Sequence, residues 1–307
     1  EGPQEEGITL KRNGLVKNQI SRLGRVFVLW LLIPATVFGS TFAFARSAAT
    51  GFAIAKNDPV KLRNFLLRMP KGGDLHNHLT GTVYAESYLG WAAEDGKCWD
   101  IAVKEIVSGP CAEDTISFAD VYPGGRLTPR LTVDPIIDML STRNFRLREE
   151  SGHNQFFATF ARFAQATLGR RGEMLAEVTH RAGRQNIVYL ELMQSGGMLE
   201  AALLAKGSVD FDAELGQRVD HIELDKIVAN VLAQLDAMEA KALQLNRCGG
   251  EDASPGCAVE VRYLAQVLRI WEPEEVYAQT VLAYKLIKAD PRIVGFNFVA
   301  PEDHPVA

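Results

Sequence analysis

The sequence predicts an α/β fold built on a parallel sheet with helical crossovers, and two observations support this prediction. Apolar, β-rich runs alternate four times with segments whose apolar residues have helical spacing. The runs are apolar along most of their length, as expected for strands covered by helices on both faces. No internal repeat, low-complexity tract or interdomain linker interrupts the chain, so we expect one large domain.

The first 45 residues predict a secretory signal peptide. Basic residues precede the uncharged stretch 26–45, which closes on the small-x-small cleavage pattern Ala-Phe-Ala. A membrane anchor is the competing interpretation, because the stretch is about long enough to span a bilayer, but Pro34 and Gly39 disfavour it. The acidic residues before Leu15 indicate that translation starts near that position. We therefore expect export to the periplasm or the medium, with no stable membrane anchor.

The first elements after the signal are a helical segment, a buried strand at 73–79 and an insertion at 82–150. The insertion carries Cys98 and Cys111, and a second local pair follows at Cys248 and Cys257. In an exported protein, such pairs favour two disulfides that each close a surface loop. Four separate thiols or a zinc site are the alternatives, although no Cys-x-x-Cys spacing is present.

Later elements alternate regularly. A phenylalanine-rich amphipathic helix near 154–169 is expected to bury its rings in the core, with contact between one ring and a ligand as the alternative. The further predicted helices and strands, in chain order, are helix 171–184, strand 186–193, helix 224–245, strand 258–264, a helix opened by Pro273, and strand 292–300.

Composition limits the classes of partner. Removing 45 of 307 residues leaves 262, enough for a substantial core. A net charge of −5 and a pI near 5.8 argue against binding to nucleic acid.

Two histidines, His76 and His78, close the first predicted strand. Side chains at i and i+2 on a strand point to the same side, which here also carries Asp74. Catalytic zinc sites use a few histidine or carboxylate ligands and keep one position open for water. The pair therefore predicts a metal site at the carboxyl ends of the strands, where ligands bind in (β/α) barrels.

The other histidines are predicted to be less informative. Surface or helix-capping roles are expected for His153 and His221, and a solvent-facing position for His180. His304 could approach the site, and the neighbouring acids Glu302 and Asp303 are either pocket carboxylates or part of a solvated loop.

The segment "MPKGGDLHNHLTGTVYAESY" at 69–88 closely resembles the first-strand motif of the adenosine deaminase family. It is most similar to the secreted branch related to adenosine deaminase growth factors. "FFATF" at 156–160, "VYLELM" at 188–193 and "IVGFNFVAPED" at 293–303 also fit that family. The resemblance implies a (β/α)8 TIM-type barrel of the metal-dependent hydrolase type, with its N-terminal half, about four strands, in residues 46–307.

The resemblance also implies an activity, namely zinc-dependent hydrolysis of adenosine to inosine and ammonia. His76 and His78 match the two first-strand zinc ligands, and Ala300 falls on a glycine whose backbone N–H contacts the purine. Thr80 stands where the family often has a ribose-binding aspartate, and its hydroxyl is the matching substrate-binding group, without a charge. The family's catalytic glutamate and remaining metal ligands are expected beyond Ala307.

Two alternatives are open at this point. The chain could belong to another metal-dependent amidohydrolase, or to a catalytically inactive secreted protein that acts as a binding or growth factor. The partner expected for the enzyme is a small purine nucleoside, and the sequence leaves open whether the protein forms a homodimer.

Overall fold

The computed structural model describes residues 48–122, 130–147, 150–214 and 223–305. The predicted signal peptide and His221 lie outside the described residues. The chain divides into two compact units, one ending at Met69 and one beginning at Pro70.

The first unit contains helix α1 at 48–55 and helix α2 (Pro59–Arg68). Asp58 caps α2, since its Oδ1 accepts hydrogen bonds from the backbone N–H groups of Val60 at 3.0 Å and Lys61 at 3.1 Å. Proline occupies the first helical position, where its missing N–H costs nothing. No helix among the described residues is long and apolar enough to cross a membrane.

The second unit is an α/β structure. Its described strands are β1 (Gly72–His78), β2 (Cys98–Asp100), β3 (Glu105–Val107), β4 (Thr115–Ser117), β5 (Ile187–Gln194), β6 (Glu260–Leu268) and β7 (Ile293–Val299). Its described α-helices are α3 (Leu79–Thr82), α4 (Ala85–Glu94), α5 (Phe118–Val121), α6 (Arg130–Met139), α7 (Gly152–Phe163), α8 (Arg171–Arg184), α9 (Met198–Ala205), α10 (Leu224–Leu245) and α11 (Pro273–Ala289). Single 3-10 turns lie at Phe145–Leu147, Ala164–Thr167 and Pro255–Ala258.

The central sheet has the order β1-β5-β6-β7, and every neighbouring pair is parallel. This confirms the predicted α/β class with a parallel sheet. Strands that follow one another both in the chain and in the sheet are also the arrangement of a (β/α) barrel. Closure into a full barrel stays a prediction.

Two predicted strand properties were wrong. The third strand of the sheet does not end at 264, because β6 continues in register with β7 to Leu268. β1 was expected to be buried, but most of its residues are exposed, and the Leu75 side chain is 60% exposed. Within the described residues β1 pairs with β5 alone, so one side of the strand has no covering neighbour.

The insertion at 82–150 folds around a small antiparallel sheet of order β3-β2-β4. A disulfide joins Cys98 and Cys111, with Cα atoms 5.5 Å apart, and Cys98 and Trp99 of β2 are buried. A second disulfide joins Cys248 and Cys257 in the turn before β6. Both predicted pairs are therefore confirmed, and the described residues contain no free cysteine.

Candidate active site

His76 and His78 bring two imidazoles to the carboxyl end of β1. Both line a cavity of about 950 Å³ that also contacts the ends of β6 and β7. Their ring centroids lie 5.9 Å apart, with the ring planes at 72°. The strand is irregular between Asp74 and Asn77, and the Asp74 carboxylate accepts the His76 backbone N–H at 3.2 Å. The two side chains nevertheless share one cavity, as their spacing predicts.

The environment of His78 keeps its imidazole neutral. Burial lowers the pKa of His78 below 6.5, and the nearby His76 lowers that pKa further. A hydrogen bond with the Gln266 side chain acts in the opposite direction. Neutral imidazole is the form that binds a metal ion, so the chemistry of His78 suits a ligand role.

The two histidines fit part of a zinc site. Catalytic zinc generally takes three protein ligands. Across the described ranges, no group of three or more histidine, cysteine, aspartate or glutamate side chains is placed to hold a metal ion. His76 and His78 could therefore hold zinc only together with a further ligand.

An aromatic wall faces the histidines across the cavity. Phe156, Phe157 and Phe160 of α7 line it. The Phe160 ring lies edge-on to His78 at a centroid distance of 5.7 Å, and Phe156 contacts Phe160 at 5.3 Å. Phe160 packs against the buried core, but all three rings line the cavity and Phe156 is 40% exposed, so the predicted core position holds only in part.

The buried face of α7 is instead formed by Gln155, Thr159 and Phe163. Gln155 provides hydrogen bonds to carbonyl groups at the C-terminal end of the preceding helix, α6. Its Nε2 donates to the backbone carbonyls of Asp138, Met139 and Ser141 at 2.9, 3.2 and 2.6 Å. This buried hydrogen bonding turns the amide inward and the phenylalanines toward the cavity. A pattern of apolar residues cannot anticipate it, because a glutamine is normally assigned to the exposed face.

Gly81 allows the aromatic wall to approach β1. A Cβ atom at this position would lie 3.3 Å from the Phe160 ring and 3.4 Å from the His78 Cβ. A larger residue would press on the Phe160 ring and require it to shift, so the glycine of the "LTGT" turn contributes directly to the geometry of the site.

Ala300 lines the same cavity just after β7. Its φ is +96°, in a region that favours glycine and strains a residue with a Cβ. The matching position in the resembling family is a glycine, and this backbone conformation accounts for that preference. Asn297, two residues before the end of β7, also lines the cavity and donates to the Met193 sulfur at 3.6 Å.

Thr80 does not line the cavity that contains the histidines. It lies beside a neighbouring cavity of about 660 Å³, next to Met193 and Ser195, and Gln266 borders both cavities. The Thr80 carbonyl accepts a hydrogen bond from the buried hydroxyl of Tyr88. The structure thus brings His76, His78 and Ala300 into one cavity and places Thr80 beside the neighbouring one.

The structure also shows cavity residues that the sequence did not single out. His153 lines the cavity, and its Nε2 lies 3.2 Å from Oδ1 of Asp303. Of its two predicted roles the surface position is confirmed, since the side chain is 47% exposed, but the capping role was wrong, because the cap of α7 is Ser151, whose Oγ accepts from Asn154 N at 3.1 Å. The sequence did contain an indication of this position, because "SGHNQFF" places His153 one helical turn before Phe157 and therefore on the same side of the helix.

Two further cavity residues lie beyond residue 264, where the predicted strand ended. Gln266 is in the last part of β6, and Arg269 directly follows that strand. Arg269 donates from Nη2 to the Phe298 carbonyl at 2.7 Å, and its Nη1 lies 3.3 Å from Glu302. Within the described part of the chain, the Nε of Arg269 is buried without a hydrogen-bond partner. Polar residues in the tail of "VRYLAQVLR" would have indicated a strand that ends at a site.

The remaining sequence candidates divide between the cavity and other places. Glu302 and Asp303 both line the cavity, and both side chains are largely exposed. The acidic loop is therefore solvated and also places two carboxylates at the cavity. His304 is outside the cavity lining. His180 was expected to face solvent, but it is half-buried, and its Nδ1 lies 2.8 Å from Ser254 Oγ.

Comparisons with known proteins give no match in sequence. Neither a scan against protein-family models nor a search of curated proteins matches the chain. Among solved structures, an amidohydrolase from Burkholderia ambifaria with bound zinc is similar, with a TM-score of 0.39 and 15% sequence identity. The similarity covers 79% of this chain and 47% of the amidohydrolase. The chain therefore spans about half the length of that protein, and a similarity of this strength assigns no function.

Proposed function

We propose that this chain forms the N-terminal half of a zinc-dependent deaminase that hydrolyses adenosine, or a close purine nucleoside, to inosine and ammonia. One observation carries the proposal. His76 and His78 share a cavity with the aromatic wall of α7 and with Ala300 at the end of β7. This arrangement combines metal ligands, a surface for an aromatic ring and a backbone donor.

The described residues that line the cavity have separate roles in the proposed reaction. His76 and His78 hold zinc together with ligands supplied from elsewhere in the longer protein. When bound, zinc lowers the pKa of a coordinated water to about 7 and so supplies a nucleophile near neutral pH. Phe156, Phe157 and Phe160 exclude bulk water and offer aromatic faces to the purine. The Ala300 backbone supplies an N–H donor to the ring.

Charge at the cavity favours an uncharged ligand. Arg269 is paired with Glu302, and His153 is paired with Asp303. Among the described residues that line the cavity, Arg269 and His153 therefore each already have a carboxylate partner. A nucleoside fits this balance of charge.

Export is proposed together with this activity. The chain carries two disulfides, which form and persist in oxidising compartments. The proposed enzyme would therefore act on nucleosides in the periplasm or outside the cell.

The test uses the complete protein, expressed with its natural reading frame and loaded with zinc. We expect adenosine to be converted to inosine with release of one ammonia per turnover, measured by chromatography. His78→Ala should remove the activity and the zinc. His180→Ala is the matched control, because His180 contacts Ser254 away from the cavity.

The other possible results of this test would either indicate a different function or contradict the proposal. Zinc binding without deamination, but with hydrolysis of another C–N bond, would indicate a different amidohydrolase. Nucleoside binding with neither zinc nor turnover would indicate an inactive binding protein. Absence of both zinc and nucleoside binding in the complete protein would contradict the proposal altogether.

A further inference from the structure

We infer that Glu177 and Arg181 of α8 are positioning residues for His78, and that they act through the backbone turn that follows it. The inference rests on the proposed function, because it assigns His78 a metal. No feature of the sequence marks this pair, since glutamate and arginine four residues apart on a helix usually form an ordinary surface ion pair.

The turn after His78 needs external hydrogen-bond partners. His78 is the residue that precedes α3, a single helical turn, and its side chain makes no capping hydrogen bond to that turn. Such a turn leaves backbone carbonyls at its end without intrahelical donors. The orientation of the turn and the backbone of His78 are therefore set by whatever satisfies those groups.

Arg181 supplies those donors. Its Nη2 donates to the Thr82 carbonyl and to Thr82 Oγ1, the latter at 3.0 Å. Its guanidinium also lies over the Tyr84 ring, 4.3 Å from the centroid. One cation thus holds both the carbonyl end of the turn and the residue that leads into α4.

Glu177 completes the arrangement from the same helix face. Its Oε1 accepts the Tyr84 backbone N–H at 3.0 Å and lies 3.0 Å from Nη1 of Arg181. The Glu177 and Arg181 side chains are only 22% and 17% exposed. Because both side chains are shielded from solvent and Glu177 also binds the Tyr84 backbone, this ion pair is held in place more firmly than an exposed one.

The same turn is fixed from inside the unit. The Tyr88 hydroxyl donates to the Thr80 carbonyl, and Tyr88 is 1% exposed. The turn is therefore held at Thr80, at Thr82 and at Tyr84, immediately after the metal-ligand candidate. α8 also leads into β5, where Met193 is the register partner of His78.

These contacts have a specific consequence at His78. The His78 ring lies against Phe160, and Gly81 of the held turn is the residue that lets the two rings approach. If Arg181 is removed, the turn loses its anchor at Thr82 and keeps those at Thr80 and Tyr84, so the direction of the His78 ring is held less firmly. Groups hydrogen-bonded directly to a metal ligand commonly change metal affinity by about 10- to 100-fold when they are replaced, and a pair that acts through the backbone should have an effect at the lower end of that range.

The experiment compares Arg181→Met and Arg181→Lys in the complete protein with Arg184→Met as the matched control. Arg184 is an exposed arginine in the last turn of the same helix. The readouts are Zn²⁺ affinity by competition with a chelator, the nuclear Overhauser effect between the His78 and Phe160 rings in the metal-free protein, and the urea midpoint.

We expect Arg181→Met to weaken Zn²⁺ binding by up to roughly 10-fold and to weaken the contact between the two rings. Arg181→Lys, which keeps a donor and a charge but not the planar fork, should fall between Arg181→Met and the natural protein. Arg184→Met should match the natural protein in both readouts.

A fall in the urea midpoint alone, with Zn²⁺ affinity and the ring contact unchanged, would show that the pair is structural and overturn the inference. If the natural protein binds no Zn²⁺, the proposed function fails, but the ring contact still decides whether the pair orients His78. If Arg181→Met does not fold, Glu177→Gln decides by the same readouts, because it removes only one charged acceptor.

Discussion

His153 and Asp303 face each other across the rim of the cavity, with Nε2 of the imidazole 3.2 Å from Oδ1 of the carboxylate. The first residue lies at the start of α7 and the second in the loop after β7. The His153 ring also rests on Phe157, at a centroid distance of 4.9 Å. This contact joins the aromatic wall to the loop that contains Ala300.

We expect Asp303→Ala to loosen the loop without destabilising the fold. The His153 and Asp303 side chains are 47% and 75% exposed, so the pair contributes at most about 1 kcal/mol. Hydrogen exchange at the backbone of 300–304 should rise by up to about 5-fold, which corresponds to that energy. The matched control is Asp252→Ala, which removes an exposed ion pair with Arg247. Equal exchange at 300–304 in both variants would contradict this role of Asp303.

Phe156→Ala should reduce ligand binding with little loss of stability. The Phe156 ring is 40% exposed and faces the cavity, so its truncation leaves no buried void. Loss of one aromatic stacking partner costs about 1–3 kcal/mol per base, and we expect adenosine affinity to fall by roughly 5- to 100-fold. Equilibrium dialysis with adenosine measures this change in the complete protein.

The control for that experiment is Phe163→Ala on the same helix. Phe163 is 4% exposed and stacks on Tyr88 with centroids 4.8 Å apart. Its truncation should cost about 3–5 kcal/mol of unfolding free energy, measured by urea denaturation. If Phe156→Ala were as destabilising as Phe163→Ala, Phe156 would belong to the core and not to the cavity wall.

The sequence predicted the architecture well because it depends on local periodicity. Helices α8 and α10 have the predicted bounds, and the parallel sheet follows from four apolar runs separated by helices. Two paired histidines also predicted a shared cavity correctly, because alternation along a strand is a local property.

The sequence predicted poorly whatever depends on contacts between distant segments. The inward turn of Gln155 depends on carbonyls at the end of α6, and the role of His153 depends on a loop 150 residues later. Thr80 illustrates a different limit, since a motif fixes its position in the chain but not the cavity that it borders.

The Cys248–Cys257 disulfide should contribute measurably to stability. It closes a short loop, with a sequence separation of 9, between α10 and β6. For a loop of this size the chain-entropy argument gives about 2.5 kcal/mol. We expect the double variant Cys248→Ser with Cys257→Ser to lose about that much unfolding free energy in urea, and an unchanged midpoint would show that native packing alone holds the turn.

Asp290 should make stability depend on pH in the acid range. Its carboxylate binds Arg292, with Oδ2 2.6 Å from Nη2 and Oδ1 3.0 Å from Nε. These hydrogen bonds lower the pKa of Asp290 below its ordinary value of 3.8, and the side chain is 12% exposed. A lowered pKa in the folded state means that the contribution is present above 3.8 and is lost as the pH falls through the folded value.

Asp290→Asn should therefore cost about 1.5 kcal/mol of unfolding free energy at pH 7, the range for a charge-assisted hydrogen bond. Arg292 keeps Asp236 and Glu239 as partners, each at 2.7 Å, so the variant leaves no buried cation unpaired. Urea denaturation of both proteins should show the difference shrinking as the pH falls below about 4.

The control for this prediction is Asp225→Asn. Asp225 pairs with Lys285 at 2.8 Å, but its side chain is 88% exposed, so solvent screens the interaction. We expect this variant to change the unfolding free energy by less than about 0.5 kcal/mol at either pH. A constant difference between Asp290→Asn and the natural protein from pH 7 to pH 3 would mean that the hydrogen-bond geometry of Asp290, and not its charge, provides the stabilisation.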